Sequence, residues 1–285
     1  MPISFAKKVE AAFDKYGQLC VGIDPHAALL NDWGLDDSAA GLEEFANRAI
    51  DAAIGRVGII KPQVSFFERH GSAGFAVLER LAEKAAATDL VVIMDAKRGD
   101  IGTTMDAYFD AWLGANAPFV CDALTVSPYL GFDSLKPLMN ECLERGKGLF
   151  VLAATSNPEG AALQRATVAN ETIAAQIWRG LSEINKITSG PNERLGSFGA
   201  VLGATLNLNS FGLASVLDGQ PNAATPILAP GFGAQGAELS ASKILFGAGA
   251  SQVLHSVSRS VLSAGPAAMA KAIDAAKAEL SVGLG

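Results

Sequence analysis

Eight short apolar runs, separated by helical stretches, constrain this chain more than any other feature. They fall near residues 18–24, 57–63, 90–97, 119–128, 148–155, 199–205, 226–231 and 252–258. Each is close to continuous in hydrophobicity rather than alternating. That is the pattern of parallel strands covered on both faces. The segments between them are rich in Ala, Leu and Glu, and residues 73–87 and 169–187 show the clearest helical periodicity. Residues 1–17 read as a further amphipathic helix. Eight strands alternating with helices predict an α/β fold, a (β/α)8 TIM barrel, with residues 1–285 as one domain. An open doubly wound sheet would place a glycine-rich turn after its first strand. Here the first run ends in Gly22-Ile23-Asp24-Pro25-His26, with a carboxylate in that place. Residues 189–197 are expected to form a long surface loop, and a domain cut there would orphan two or three strands.

Composition narrows the function classes. Of 285 residues 49% are apolar and 18% charged, enough for a large core and too little charge for a disordered chain. A net charge of −7 argues against nucleic acid as a partner while leaving room for a local basic pocket. Cys20, Cys121 and Cys142 form no CxxC pair, so they read as core thiols in a reducing compartment. No apolar h-region opens the sequence, and no run approaches the roughly 18 apolar residues of a membrane span. A cytoplasmic protein without membrane contact is expected. His26, His70 and His255 lack metal-ligand spacing, so no metal site is expected and they read as packing or surface residues. Neither GxSxG nor GxxxxGK[ST] occurs.

Barrel enzymes act at the C-terminal ends of their strands. By that rule the candidates are Asp24, Lys61, Asp95, Lys97, Ser127, the glycine-rich 231–236 and Arg259. Asp95 and Lys97 are two apart on one strand and share a face. Lys61, Asp95, Lys97 and Asp100 alternate in sign and are expected to form a chain, because buried charges are tolerated only when paired. The same DAKRGD stretch also reads as a solvated turn. APGFGAQG (229–236) offers backbone N–H groups for a phosphate, with Gln235 and Arg259 as side-chain donors; alone, it is equally a plain turn. Phe66 and Phe67 are expected near the mouth of the second strand, and Asp106 and Asp110 on a solvated helix face.

The run VIMDAKRGDIGTT (92–104) resembles the signature of the orotidine 5′-phosphate decarboxylase family. GIDP (22–25), IIKPQ (59–63), LTVSPYLG (124–131) and APGFGAQG (229–236) are similar to that family in the same order. KPQVSFFE (61–68) and SPYLG (127–131) resemble its longer bacterial branch. One departure is Ser258 before Arg259, where the family commonly has Gly-Arg-Ser. The resemblance implies a homodimer that converts orotidine 5′-monophosphate to UMP and CO2 in pyrimidine biosynthesis, with no cofactor. It implies catalytic roles for Lys97, the proton donor, and for Asp95, against the substrate carboxylate. Asp24 and Lys61 would hold the ribose, and Ser127 the pyrimidine amide. Gly233, Gln235 and Arg259 would grip the phosphate beneath a lid starting at Gly231. Asp100 and Thr104 would reach into the partner's site. Rival readings are magnesium-dependent sugar-phosphate lyases sharing Asp-x-Lys-x-x-Asp, a Schiff-base aldolase, and a barrel that binds phosphate without turnover.

Overall fold

The computed structural model describes residues 2–285. Eight parallel strands close into a barrel: β1 (Leu19–Ile23), β2 (Ile59–Pro62), β3 (Val91–Arg98), β4 (Ala123–Val126), β5 (Gly148–Ala154), β6 (Phe198–Leu202), β7 (Ile227–Pro230) and β8 (Val253–Val257). Each pairs with the next in chain order, and β8 pairs with β1 to close the ring. The expected (β/α)8 barrel is the observed fold.

The period-2 alternation of strands sends side chains to two different cores. One set, including Val21, Ile60, Val92, Leu124, Val151 and Ala200, faces outward under the helices. The other, including Cys20, Ile59, Ile93, Ala123, Phe150, Val201, Leu228 and Leu254, fills the barrel interior. The helix Phe5–Tyr16 supplies Phe5, Ala6, Val9 and Ala12 to that interior set. Its apolar residues recur at helical spacing, and the Ser4 hydroxyl caps it by accepting from the Lys7 amide. It plugs the N-terminal end of the barrel, where the Phe5 ring meets Phe150 edge-on, 5.9 Å between centroids. Gly148 must lack a side chain there, since a Cβ would lie 2.2 Å from the Phe5 ring.

Three sequence expectations shift. The fourth strand begins at Ala123 rather than 119, because Phe119 is drawn out to stack on Trp112 at 4.3 Å. The helix expected from 169 begins at Ile173. Residues 167–172 instead form a small antiparallel hairpin, turned by Ala169 and Asn170, both at positive φ. The 189–197 segment is exposed only in its first half. Leu195 is buried in the interior set, and the Glu10 carboxylate accepts from the amides of Arg194 and Leu195. All three cysteines are buried and free, and burial pushes the Cys20 and Cys121 thiols up to about 12. No described helix is long and apolar enough to cross a membrane.

Candidate active site

At the C-terminal end of the barrel the interior alternation continues, but its residues become polar. A cavity of about 430 Å³ opens there, lined by Asp24, Lys61, Asp95, Lys97, Thr125 and Ser258 from the strand ends, and by Gln235 and Arg259 from the rim loops. Leu152, Val201 and Leu228 form its apolar floor.

Asp95 is the centre of the charge network. Lys61 Nζ lies 2.9 Å from its Oδ2 and Lys97 Nζ 2.6 Å from its Oδ1. The Thr125 hydroxyl donates to Oδ1 at 3.0 Å. Side chains of Asp95 and Lys61 are only 11% and 8% exposed, whereas Lys97 is 44% exposed and points its ammonium into the cavity mouth. Burial alone would raise the Asp95 pKa, but the two ammonium groups reverse this and hold it well below the ordinary carboxylate range. Burial would likewise strip Lys61 of its proton. The carboxylates of Asp95 and Asp24 outweigh that and keep it charged, above the usual lysine range.

The backbone beneath Lys97 is unusual. Between Met94 and Arg98 the β3–β4 register slips: Met94 faces Leu124, yet Arg98 faces Val126. Four steps on β3 therefore span two on β4, a bulge of the kind found beside active sites. Lys97 sits in it at φ +50°. A left-handed lysine costs about 1–3 kcal/mol and persists only where its surroundings enforce it. The Thr125 hydroxyl accepts from the Lys97 amide at 2.9 Å, so one threonine holds both the lysine's backbone and Asp95. Gly99 lets the bulge press against β4, since a Cβ would lie 2.6 Å from the Ser127 carbonyl oxygen.

Opposite ends of the chain meet at a second point. The Ser258 hydroxyl donates to Asp24 Oδ2 at 2.5 Å, while Asp24 Oδ1 is buried without a partner. Arg259 opens the short helix Arg259–Leu262 and forms no ion pair with any described residue. In the 231–236 loop the amides of Gly233 and Gly236 are used to close the loop on itself, and Ala234 and Gln235 reach the cavity. Gly233, at φ +71°, lies just outside it; a Cβ there would meet the Ser260 hydroxyl at 2.6 Å.

The structure thus brings Asp24, Lys61, Asp95, Lys97, Gln235 and Arg259 together. Asp100 does not join the chain of charges: its carboxylate accepts from the Ile101 amide at 2.8 Å. Thr104 is exposed on the helix Gly102–Trp112, outside this cavity. Ser127 also does not line the cavity, because its backbone is taken up by the bulge, the amide donating to the Arg98 carbonyl at 2.7 Å. Thr155 and Ser156, just past β5, line it instead. Gln164 clasps that turn, accepting from the Thr155 amide at 2.9 Å and donating to its hydroxyl at 2.7 Å. Gln63, Thr125, Thr155, Ser156, Asn157, Gln164, Ser256 and Ser258 are polar lining residues that sequence reasoning did not assign to the site. For all but Asn157 and Gln164, position at a strand end was the available signal.

His26 caps the helix Ala27–Asp32 through Nδ1, His70 lies 3.3 Å from Asp37, and His255 is buried against Ser242 at 2.6 Å. Burial pushes the His255 imidazole down to about 3. Phe67 is fully buried behind β2, and Phe66 packs edge-on against His26 near the mouth. Asp106 and Asp110 are solvated.

A model of the orotidine 5′-phosphate decarboxylase / HUMPS family matches residues 17–273. The chain belongs to that family. It is 49% identical over 264 residues to an orotidine 5′-phosphate decarboxylase of Streptomyces coelicolor, covering 92% of this chain and 91% of that one. A Salinispora arenicola relative of the same name is 45% identical, covering 99% and 98%. Among solved structures, a Streptomyces avermitilis protein assigned to this enzyme superposes with a TM-score of 0.91 at 45% identity, covering 100% and 97%. An OMP decarboxylase of Leishmania donovani gives 0.71 at 30% identity, covering 98% and 99%. The Asp95-x-Lys97-x-x-Asp100 stretch spans the bulged end of β3 and the turn beyond it.

Proposed function

We propose that this protein decarboxylates orotidine 5′-monophosphate to UMP and CO2, as its relatives are named for doing. The observation that carries the reading is the Lys61–Asp95–Lys97 network at the mouth of a cavity that also holds the unpaired Arg259.

The reaction breaks the bond between C6 of the pyrimidine and its carboxylate carbon. The electron pair stays on C6 in an sp² orbital with no conjugated sink, CO2 departs, and a proton replaces it. The protein therefore has to supply electrostatic stabilisation and an acid in one group. The Lys97 ammonium serves both purposes: it opposes the charge that develops at C6, then delivers its proton there. Asp95 stands where the substrate carboxylate would approach, so the ground state meets a repulsion that vanishes as CO2 leaves. It also fixes the Lys97 Nζ in place. Exclusion of water strengthens each interaction.

Asp24, whose Oδ1 is free to accept, and Lys61 suit the ribose hydroxyls. Ser156, on the cavity wall where Ser127 is not, suits the pyrimidine edge, while the Thr155 hydroxyl is engaged by Gln164 and Asn157. Arg259, Gln235 and the amides of Ala234 and Gln235 suit the phosphate, with bidentate contacts available to the guanidinium. Binding energy gathered there, far from C6, is spent in the transition state, and closure of the loop from Gly231 would couple the two. Asp100 and Thr104, off this cavity in their own chain, fit a homodimer in which each supplies the partner's site. A cytoplasmic location and a place in pyrimidine biosynthesis follow from the same reading.

The paired ammonium groups suit an anionic substrate better than Mg²⁺, which separates this reading from the sugar-phosphate lyases. An absorbance time course with orotidine 5′-monophosphate in excess EDTA tests it. Conversion of the orotate chromophore to that of uracil is expected. A folded protein that leaves the substrate unchanged would shift the assignment to the magnesium-dependent lyases, and binding without turnover to a non-catalytic barrel.

A further inference from the structure

The strained lysine has a counterpart on the outside of the barrel. Arg98 follows Lys97, and its side chain does not line the cavity. Its guanidinium donates to Glu68 Oε1 at 3.0 Å. It also lies over the rings of Trp112 and Tyr108, at 5.6 and 5.7 Å from their centroids. Its carbonyl accepts from the Ser127 amide at 2.7 Å. Glu68 ends the helix Val64–Glu68, which springs directly from the Lys61 strand. Tyr108 and Trp112 belong to the helix Gly102–Trp112, which follows the Asp100 loop. The side chain is only 21% exposed. One guanidinium therefore ties together the two helices that flank the bulge, directly behind the residue that the bulge strains.

We infer that Arg98 is a positioning residue: anchored on Glu68, Tyr108 and Trp112, it holds Lys97 in the left-handed conformation that puts its ammonium on Asp95. The physical reason is that residues 97 and 98 share a peptide unit. Thr125 fixes that strand segment from the inside through the Lys97 amide, and Arg98 fixes it from the outside. Without the outer anchor, Lys97 relaxes toward an extended conformation, and its ammonium swings away from Asp95. A planar, stacked cation with a carboxylate partner suits this role because it is rigid in two directions at once.

The inference rests on the decarboxylase reading only for its kinetic consequence; its structural consequence is independent. The first test is the crystal structure of Arg98→Met, which keeps the apolar stem and loses the charge and the plane. Lys97 is expected to leave positive φ and to lose its contact with Asp95. Lys97 retained at positive φ on Asp95 overturns the proposal, whatever the protein catalyses. The second test is kinetic, made against a wild-type enzyme shown to turn over. In Arg98→Met, kcat is expected to fall about 10²-fold, the cost of a misplacement near 1 Å, while KM for the nucleotide stays within about threefold because no phosphate or ribose contact is touched. Arg98→Lys keeps a cation for Glu68 and covers the case in which the methionine variant fails to fold. Its kcat is expected to fall about 10-fold, again with KM retained. Wild-type kcat in either variant, or a rise in KM with kcat preserved, overturns the inference.

Discussion

The floor and the mouth of this barrel are built by the same eight strands and the same alternation, yet they obey opposite rules. At the floor, inward positions carry Cys20, Ile59, Ile93 and Ala123, sealed by Phe5 and Val9. Two to four residues further along the same strands, inward positions carry Asp24, Lys61, Asp95 and Thr125. Area removed from water stabilises the floor. The mouth holds buried charge, which is tolerable only because each group has a partner, and a buried pair adds little net stability. Apolar packing and buried charge are thus segregated along the barrel axis.

That segregation can be broken in four ways. The largest effect is expected from Lys97→Ala: turnover should drop about 10⁴-fold while UMP still binds and the unfolding midpoint barely moves. A variant that keeps its activity would remove Lys97 from the chemistry. Next is Phe5→Ala at the floor, expected to cost about 3–5 kcal/mol of stability, measured by urea unfolding, with kcat unchanged in the folded fraction. A parallel loss of kcat would show that the two ends are coupled. Arg259→Ala should raise KM about 10–100-fold, or about 1.4–2.7 kcal/mol of phosphate binding, with much less effect on an unphosphorylated nucleoside. An unchanged KM would take Arg259 out of the phosphate site.

The smallest effect concerns pH. Asp95 has its pKa depressed by folding, so its contribution is complete above the ordinary carboxylate pKa of about 3.9 and is lost as pH falls toward its lower folded value. The stability difference between the wild type and Asp95→Asn, measured by urea unfolding, should therefore be constant near neutrality and shrink below about pH 4. A difference that grew on acidification would contradict the ion-pair assignment.

The fold was legible because period and burial agree: a near-continuous apolar run admits few alternatives to a parallel strand, and eight of them close. Cavity-lining residues directly at strand ends, such as Lys61, Asp95 and Arg259, were legible for the same reason. What escaped was set by irregularity. The slip between Met94 and Arg98 cannot be read from a sequence whose alternation looks intact, yet it decides that Ser127 serves the backbone while Thr125 serves Asp95. Thr155 and Ser156 escaped because a small polar pair after a strand looks like any turn until Gln164 is seen to clasp it. The 167–172 hairpin escaped because its turn uses Ala169 and Asn170 without a glycine.

The hydrogen bond from Ser258 to Asp24 joins groups 234 residues apart, where the last strand meets the first. It has a consequence for how the protein is made. Until β8 has left the ribosome, Asp24 has no partner, the ring has no closure and the cavity-facing side of β1 is open to water. A nascent or truncated chain lacking that seam holds the Asp95 stretch but no enclosed chamber around it. The chamber therefore closes in one step, when the last strand docks on the first, not by gradual accumulation.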